Sequence, residues 1–174
     1  ISTGLRDRIN GINTELVTAG TMTTDAAVQA AWTESAATML GGVSFDSATT
    51  MSLTGADGYA SQSITVDPSQ LYQFSYKWGK TGTTDNGEVK LGTAADDGTY
   101  YSATHGTAAQ ATLATIGAAA TESDSIIIKT GAAVTSVVIT LGVDGATDII
   151  YFDDVSFKCL SRSVQDVFNL GQIE

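Results

Sequence analysis

Leu71-Tyr72-Gln73-Phe74-Ser75-Tyr76-Lys77-Trp78 alternates with a period of two. Side chains of a strand point to opposite faces in turn, so Tyr72, Phe74, Tyr76 and Trp78 share one face, and Gln73, Ser75 and Lys77 share the other. Each ring contributes about 1.5–3 kcal/mol when buried, which makes this segment a central core strand. Upstream, residues 58–66 carry Ala60, Gln62, Ile64 and Val66 in phase. Asp67-Pro68-Ser69-Gln70 joins the two runs, and the single proline of the chain suits a turn and no central strand. Further strands are expected at 88–92, 125–129, 136–141 and 148–157, with Asp85-Asn86-Gly87 and Asp144-Gly145 as tight turns. Eight to eleven short strands punctuated by turn residues predict an all-β fold, a two-sheet antiparallel sandwich. Helix signals are confined to 25–32, with Thr24 or Asp25 as N-cap, and to 163–168.

Thr, Ala, Gly and Ser supply 83 of the 174 residues, yet 43% of the chain is hydrophobic and only 16% charged, enough apolar material for one full core. The net charge of -11 repels polyanions, which excludes nucleic-acid binding by phosphate neutralisation and a polybasic membrane anchor. Apolar runs such as 136–141 are strand-sized and too short to cross a bilayer as a helix. One Cys excludes an internal disulfide, and one His excludes a multi-His metal site.

Residues 59–68, YASQSITVDP, followed by 71–76, LYQFSY, resemble a recurring segment of carbohydrate-binding-module-like jelly rolls of the xylan- and cellulose-binding type, grouped with the galactose-binding-like folds. Ile149-Ile150-Tyr151-Phe152-Asp153-Asp154-Val155-Ser156-Phe157 is similar to their closing strand, and Leu16-Val17-Thr18-Ala19-Gly20-Thr21-Met22 with Trp32 to their opening. The resemblance spans residues 15–158 and implies a jelly-roll sandwich with a sugar-binding face. It departs at Ala19, Met22 and Thr23; the family places at this last position an acidic residue that helps hold a structural calcium. Modules of this shape also occur in tailed-phage virion proteins, and the opening Ile1-Ser2-Thr3-Gly4-Leu5-Arg6-Asp7 is similar to the start of some phage structural proteins.

No catalytic set emerges. His105 is the sole imidazole, it falls in a stretch that reads as a surface loop, and no G-x-S-x-G elbow accompanies it. Asp153-Asp154 reads as a carboxylate pair on opposite faces of a strand, unable to flank one glycosidic bond. Its inward member takes backbone hydrogen bonds or a calcium ion, with Asp153 as the ligand. Asp96-Asp97-Gly98 and 144–148 read as hairpin turns before calcium loops. Trp32 and Trp78 belong to the core, which leaves Tyr59, Tyr100 and Tyr101 as rings on which a pyranose can stack. Cys159 reads as a small buried hydrophobe.

The ends read differently from the body. Residues 1–14 carry Ile1, Leu5, Ile9 and Ile12, and residues 159–174 carry Leu160, Val164, Val167, Phe168, Leu170 and Ile173, more apolar side chains than a closed sandwich of residues 15–158 needs. They are expected to serve as arms that grip neighbouring subunits. Two functions follow. One is a non-enzymatic phage virion protein that decorates or cements the capsid or sits on the tail, at the virion surface, with a major capsid protein or copies of itself as partners. The other is a carbohydrate-binding module of a larger secreted enzyme or adhesin, which also accounts for a sequence opening on Ile1 instead of Met. Neither requires a cofactor, nucleic acid or membrane.

Overall fold

The computed structural model describes residues 14–35, 37–106, 110–115 and 125–161. These hold one short helix, α1 (Asp25–Ala31), and eleven strands: β1 (Thr33–Ser35), β2 (Thr38–Phe45), β3 (Ala48–Thr54), β4 (Gly58–Thr65), β5 (Leu71–Lys80), β6 (Gly87–Gly92), β7 (Tyr101–His105), β8 (Gln110–Thr115), β9 (Ser125–Lys129), β10 (Ser136–Val143) and β11 (Ile150–Ser161). One sheet runs β1-β4-β10-β6-β7; the other runs β2-β3-β11-β5-β8, with β9 also on β5. Every pairing is antiparallel, and the two sheets form a jelly-roll sandwich. β8 and β9 share one edge of β5, β8 along Lys77–Lys80 and β9 along Leu71–Ser75, so together they act as a single interrupted edge strand.

The core lies where the period-two reading places it. Tyr72, Phe74, Tyr76 and Trp78 are all buried, packed with Leu53, Met51, Ile150, Phe152 and Phe157 of their own sheet against Ala60, Ile64, Val89, Leu91, Ile139 and Leu141 of the other. Tyr72 stacks on Phe157 with centroids 5.1 Å apart. Both tryptophans are core residues, as expected. Thr24 caps α1 by accepting a hydrogen bond from Ala27 N at 3.2 Å, and Asp25 accepts one from Gly41 N at 2.8 Å, which docks the helix on β2.

Four expectations change. His105 is not on a surface loop: β7 continues its pairing with β6 as far as Gly87↔His105, and the pleat turns Ala103 and His105 inward. Tyr101 turns inward too, edge-on to Phe74 at 6.4 Å, so it offers no open ring. Cys159 and Leu160 are strand residues, because β11 runs on to Ser161 paired with β5; Cys159 is buried in the core and Leu160 belongs to the sandwich rather than to an arm. Asp153 and Asp154 do not point to opposite faces. A bulge shifts the register between Asp153 and Ser156, Asp154 adopts φ 48°, and the Asp154 carboxylate turns back to Lys77, the register partner of Asp153, at 2.6 Å. The helix expected at 163–168 and the arm residues Ile1, Leu5, Ile9, Ile12, Val164, Val167, Phe168, Leu170 and Ile173 lie outside the described residues.

Candidate functional site

The outer face of the β1-β4-β10-β6-β7 sheet is polar, because the alternation that buries Ala60, Leu141 and Val89 turns Tyr59, Gly142 and Glu88 outward in one row. Gly142 has no side chain, so a trough opens beside the Tyr59 ring. The next outward row holds Ser61, Thr140 and Lys90. Lys90 Nζ lies 2.9 Å from Glu88 Oε2 and 2.6 Å from Asp96 Oδ1. Burial opposes its charge, but the hydrogen bonds to Asp96 and Glu88 outweigh it and hold the ammonium above its usual pKa. Asp57, Tyr59, Glu88, Lys90, Asp96, Gly142 and Asp144 line a cleft of about 280 Å³. A ring beside fixed donors and acceptors is the arrangement that receives the apolar face of a pyranose and reads its hydroxyls.

One wall of this cleft is the 93–99 loop, organised by Asp97. Its Oδ2 accepts from Thr93 N and Thr93 Oγ1, both at 2.8 Å, and its Oδ1 accepts from Thr99 N at 2.9 Å and Thr99 Oγ1 at 2.5 Å. The hydroxyl of Thr99 and the amide and hydroxyl of Thr93 hold this carboxyl well below the usual carboxylate range. The loop is pinned to the sheet by Asp96 N donating to Thr140 Oγ1 at 2.9 Å. Its far side leads into Tyr100, 39% exposed, which lines a separate cavity of about 350 Å³ with Thr99, Ile128, Lys129, Thr130, Gly131, Val134 and Val137. Tyr59 and Tyr100 thus sit in two different clefts, and Tyr101 in neither.

The turns read as hairpins do more than reverse the chain. Asp148 Oδ2 accepts from Thr84 N and Asp85 N at 2.8 and 2.9 Å, while Asp85 Oδ2 accepts from Thr147 N and Asp148 N at 2.6 and 2.8 Å. Both carboxylates are buried, and the buried Lys80 Nζ donates to Asp85 O at 2.5 Å. Gly82 and Gly145 make this possible: a Cβ on either would lie 1.8 or 2.1 Å from the opposing carboxylate oxygen.

Asp153 does not have the surroundings of a calcium ligand. Calcium takes six to eight oxygens, whereas the described residues gather no group of three His, Cys, Asp or Glu that could hold a metal ion, and the neighbouring Asp154 carboxylate is paired with Lys77. Asp153 is 7% exposed, its Oδ1 has no hydrogen-bond partner, and burial pushes its carboxyl up to about 6. His105 packs against Trp78 with centroids 4.5 Å apart, its Nε2 3.0 Å from Tyr76 Oη, and burial lowers its pKa to about 4. A buried imidazole packed against the rings of Tyr76 and Trp78 has the surroundings of a core residue. A cavity of about 470 Å³ beside the β11 bulge is lined by no aromatic ring among the described residues. Its charges are spent on one another: Glu15 accepts from Val17 N, Phe157 N and Ser156 Oγ and faces Lys158 at 3.7 Å, and Asp154 pairs with Lys77.

Glu88, Lys90, Asp96, Gly142 and Lys129 were not legible as site residues. Glu88 and Lys90 do share a strand face in the sequence, but their meeting with Tyr59 depends on β10 lying between β4 and β6.

No protein-family profile matches the chain, and no curated protein matches it. Solved structures do. The enzymatically active domain of tailspike protein 4 of bacteriophage CBA120 is 16% identical with a TM-score of 0.56, over 85% of this chain and 21% of that one; the present chain spans about a fifth of the tailspike's length. A candidate sugar-binding protein from Bacteroides thetaiotaomicron is 10% identical with a TM-score of 0.53, over 84% of this chain and 100% of that one. The xylan-binding CBM22-1 domain of Paenibacillus barcinonensis Xyn10C is 11% identical with a TM-score of 0.48, over 87% and 98%. The chain shares its jelly-roll sandwich fold with the tailspike domain and the Bacteroides protein.

Proposed function

We propose that this chain is a non-catalytic carbohydrate-binding domain whose Tyr59 cleft receives a glycan. The observation that carries the reading is the cleft that Tyr59 and the Gly142 trough share with Lys90, Glu88 and Asp96, both carboxylates fixed on the Lys90 ammonium. Binding here is stacking plus hydroxyl recognition, with no bond made or broken. A polysaccharide affinity gel run on the parent and on Tyr59→Ala tests it: the parent is retarded by at least one neutral polysaccharide and the variant is not. Gly142→Leu fills the trough and is expected to abolish retention with the fold intact. Retention unchanged in both variants, or none in the parent across a panel of plant and bacterial polysaccharides, refutes the reading.

A second reading, a structural subunit at a phage virion surface, is favoured by one observation. Leu40, Leu71 and Ile127, at 47%, 38% and 65% exposure, all lie on the outer face of the other sheet, where a subunit contact would cover them. Attachment through this face and the terminal segments, to copies of itself or to a capsid protein, leaves the Tyr59 cleft open. Sedimentation analysis separates the cases: a trimer or larger supports assembly, and a monomer at all concentrations removes self-assembly.

A further inference from the structure

The cavity at Tyr100 differs from the Tyr59 cleft in charge. Glu88, Asp96, Asp57 and Asp144 line the cleft beside Lys90, whereas Lys129 is the single charged residue among the described residues lining the Tyr100 cavity. All five lysines are described. Lys77, Lys90 and Lys158 face carboxylates, and Lys80 is buried against a carbonyl. Lys129 alone among these lysines has no hydrogen-bond or ion-pair partner among the described residues, in a chain of net charge -11. A cation without a carboxylate partner among the described residues, lining a cavity with a tyrosine ring, fits an anionic ligand with an apolar face.

The walls are set in advance. Thr130 N donates to Gln70 O at 2.9 Å, Thr130 Oγ1 to Asp67 O at 2.7 Å, Val134 N to Gly131 O at 3.2 Å and Ser69 N to Gly131 O at 3.3 Å. On the opposite side Tyr100 N donates to Leu91 O at 2.9 Å, and Asp97 holds Thr99. Ligand binding therefore orders little new chain. The volume, about 350 Å³, lies at the small end of the range of about 300–1,000 Å³ for ligand clefts and suits one sugar ring.

We infer that the Tyr100 cavity is a second ligand site, independent of the Tyr59 cleft, which takes a hexuronate: the pyranose lies against the Tyr100 ring and its carboxylate meets Lys129. The site goes beyond the proposed function and does not depend on it.

Backbone amide shifts of the full chain, titrated with methyl β-glucuronide, methyl β-glucoside and sodium acetate, test it. The glucuronide is expected to saturate shifts at Tyr100, Lys129 and Gly131, the glucoside and acetate each to bind there at least about fivefold more weakly, and added salt to erode the difference. Lys129→Gln, an exposed substitution that leaves the fold alone, weakens the glucuronide about fivefold, and Tyr100→Ala about tenfold. Tyr59→Ala leaves these shifts unchanged. Equal binding of glucoside and glucuronide, an unaltered affinity in Lys129→Gln, or no shifts at Tyr100 overturns the inference. A loss of glucuronide binding in Tyr59→Ala assigns the ligand to the other cleft and equally overturns it.

Discussion

Two loop systems in this sandwich are built by the same chemistry, a carboxylate accepting hydrogen bonds from neighbouring donors, and differ in burial. Asp85 and Asp148 clasp each other's loops across 63 positions of sequence, each accepting two backbone amides in a site closed to water. Asp97 works alone at the surface, within a loop of seven residues, and accepts from Thr93 and Thr99. The first joins the ends of β5 and β6 to those of β10 and β11 and lends the Tyr59 cleft only Asp144, whose carboxylate already accepts from Asn86. The second presents Asp96 to one cleft and Thr99 with Tyr100 to the other. Buried, the motif contributes to stability; exposed, it sets the geometry of a site.

Breaking the buried clasp gives the largest expected effect. Asp148→Ala leaves the amides of Thr84 and Asp85 without their acceptor, and is expected to lower unfolding free energy by about 4 kcal/mol, measured as a shift of the urea midpoint. Asp148→Asn keeps one oxygen and recovers part of the loss.

Burial also governs the acid response. His105 has a folded pKa of about 4 against an ordinary 6.5, so between those values the unfolded chain takes up a proton that the folded chain refuses. Stability therefore falls as pH drops from 6.5 to 4, by about 3 kcal/mol from this residue. Asp153 acts in the opposite sense: with a folded pKa of about 6 against 3.8, the folded chain takes up the proton first, and stability rises as pH drops through 6 towards 3.8. Urea midpoints at pH 7 and 4.5 are expected to fall more steeply for Asp153→Asn than for the parent, and less steeply for His105→Gln. The Asp97 loop, whose carboxylate stays ionised through this range, keeps its shape.

Gly145→Ala, which places a Cβ against Asp85, is expected to cost about 2 kcal/mol by the same assay, since the opposing carboxylate is held by two amides and has nowhere to move. Asp97→Ala gives the smallest change in stability and the most telling one in function. Its urea midpoint stays close to the parent's, while affinity falls several-fold for the Tyr59-cleft glycan and the Tyr100-cavity uronide together. A variant that instead unfolds, or that loses only one ligand, contradicts the division drawn between the two loops.

Much of the scaffold was readable from local pattern. The aromatic row of β5, the strand at Ser125–Lys129 and the Thr24 cap each depend on neighbours in the chain, where a period of two or a cap three residues away is visible directly. Tyr59 was reached by elimination, once Trp32 and Trp78 were assigned to the core. Pattern failed where a pairing decided the outcome. His105 looked like a loop residue and Tyr101 like an open ring, and they turn inward because β7 adds to the edge of β6. Asp153 and Asp154 looked opposed because alternation was assumed, and a bulge against β5 brings them together.

Taken alone, the amino-acid order determined the layers: which residues face inward, where the chain turns, and that charge of one sign prevails, because alternation and composition are properties of short stretches and of sums. Only the tertiary structure decided which outward residues become neighbours. Tyr59, Gly142 and Glu88 come from three strands up to 83 positions apart, and hydrogen-bond register between strands, set by how the whole core packs, is what placed them side by side.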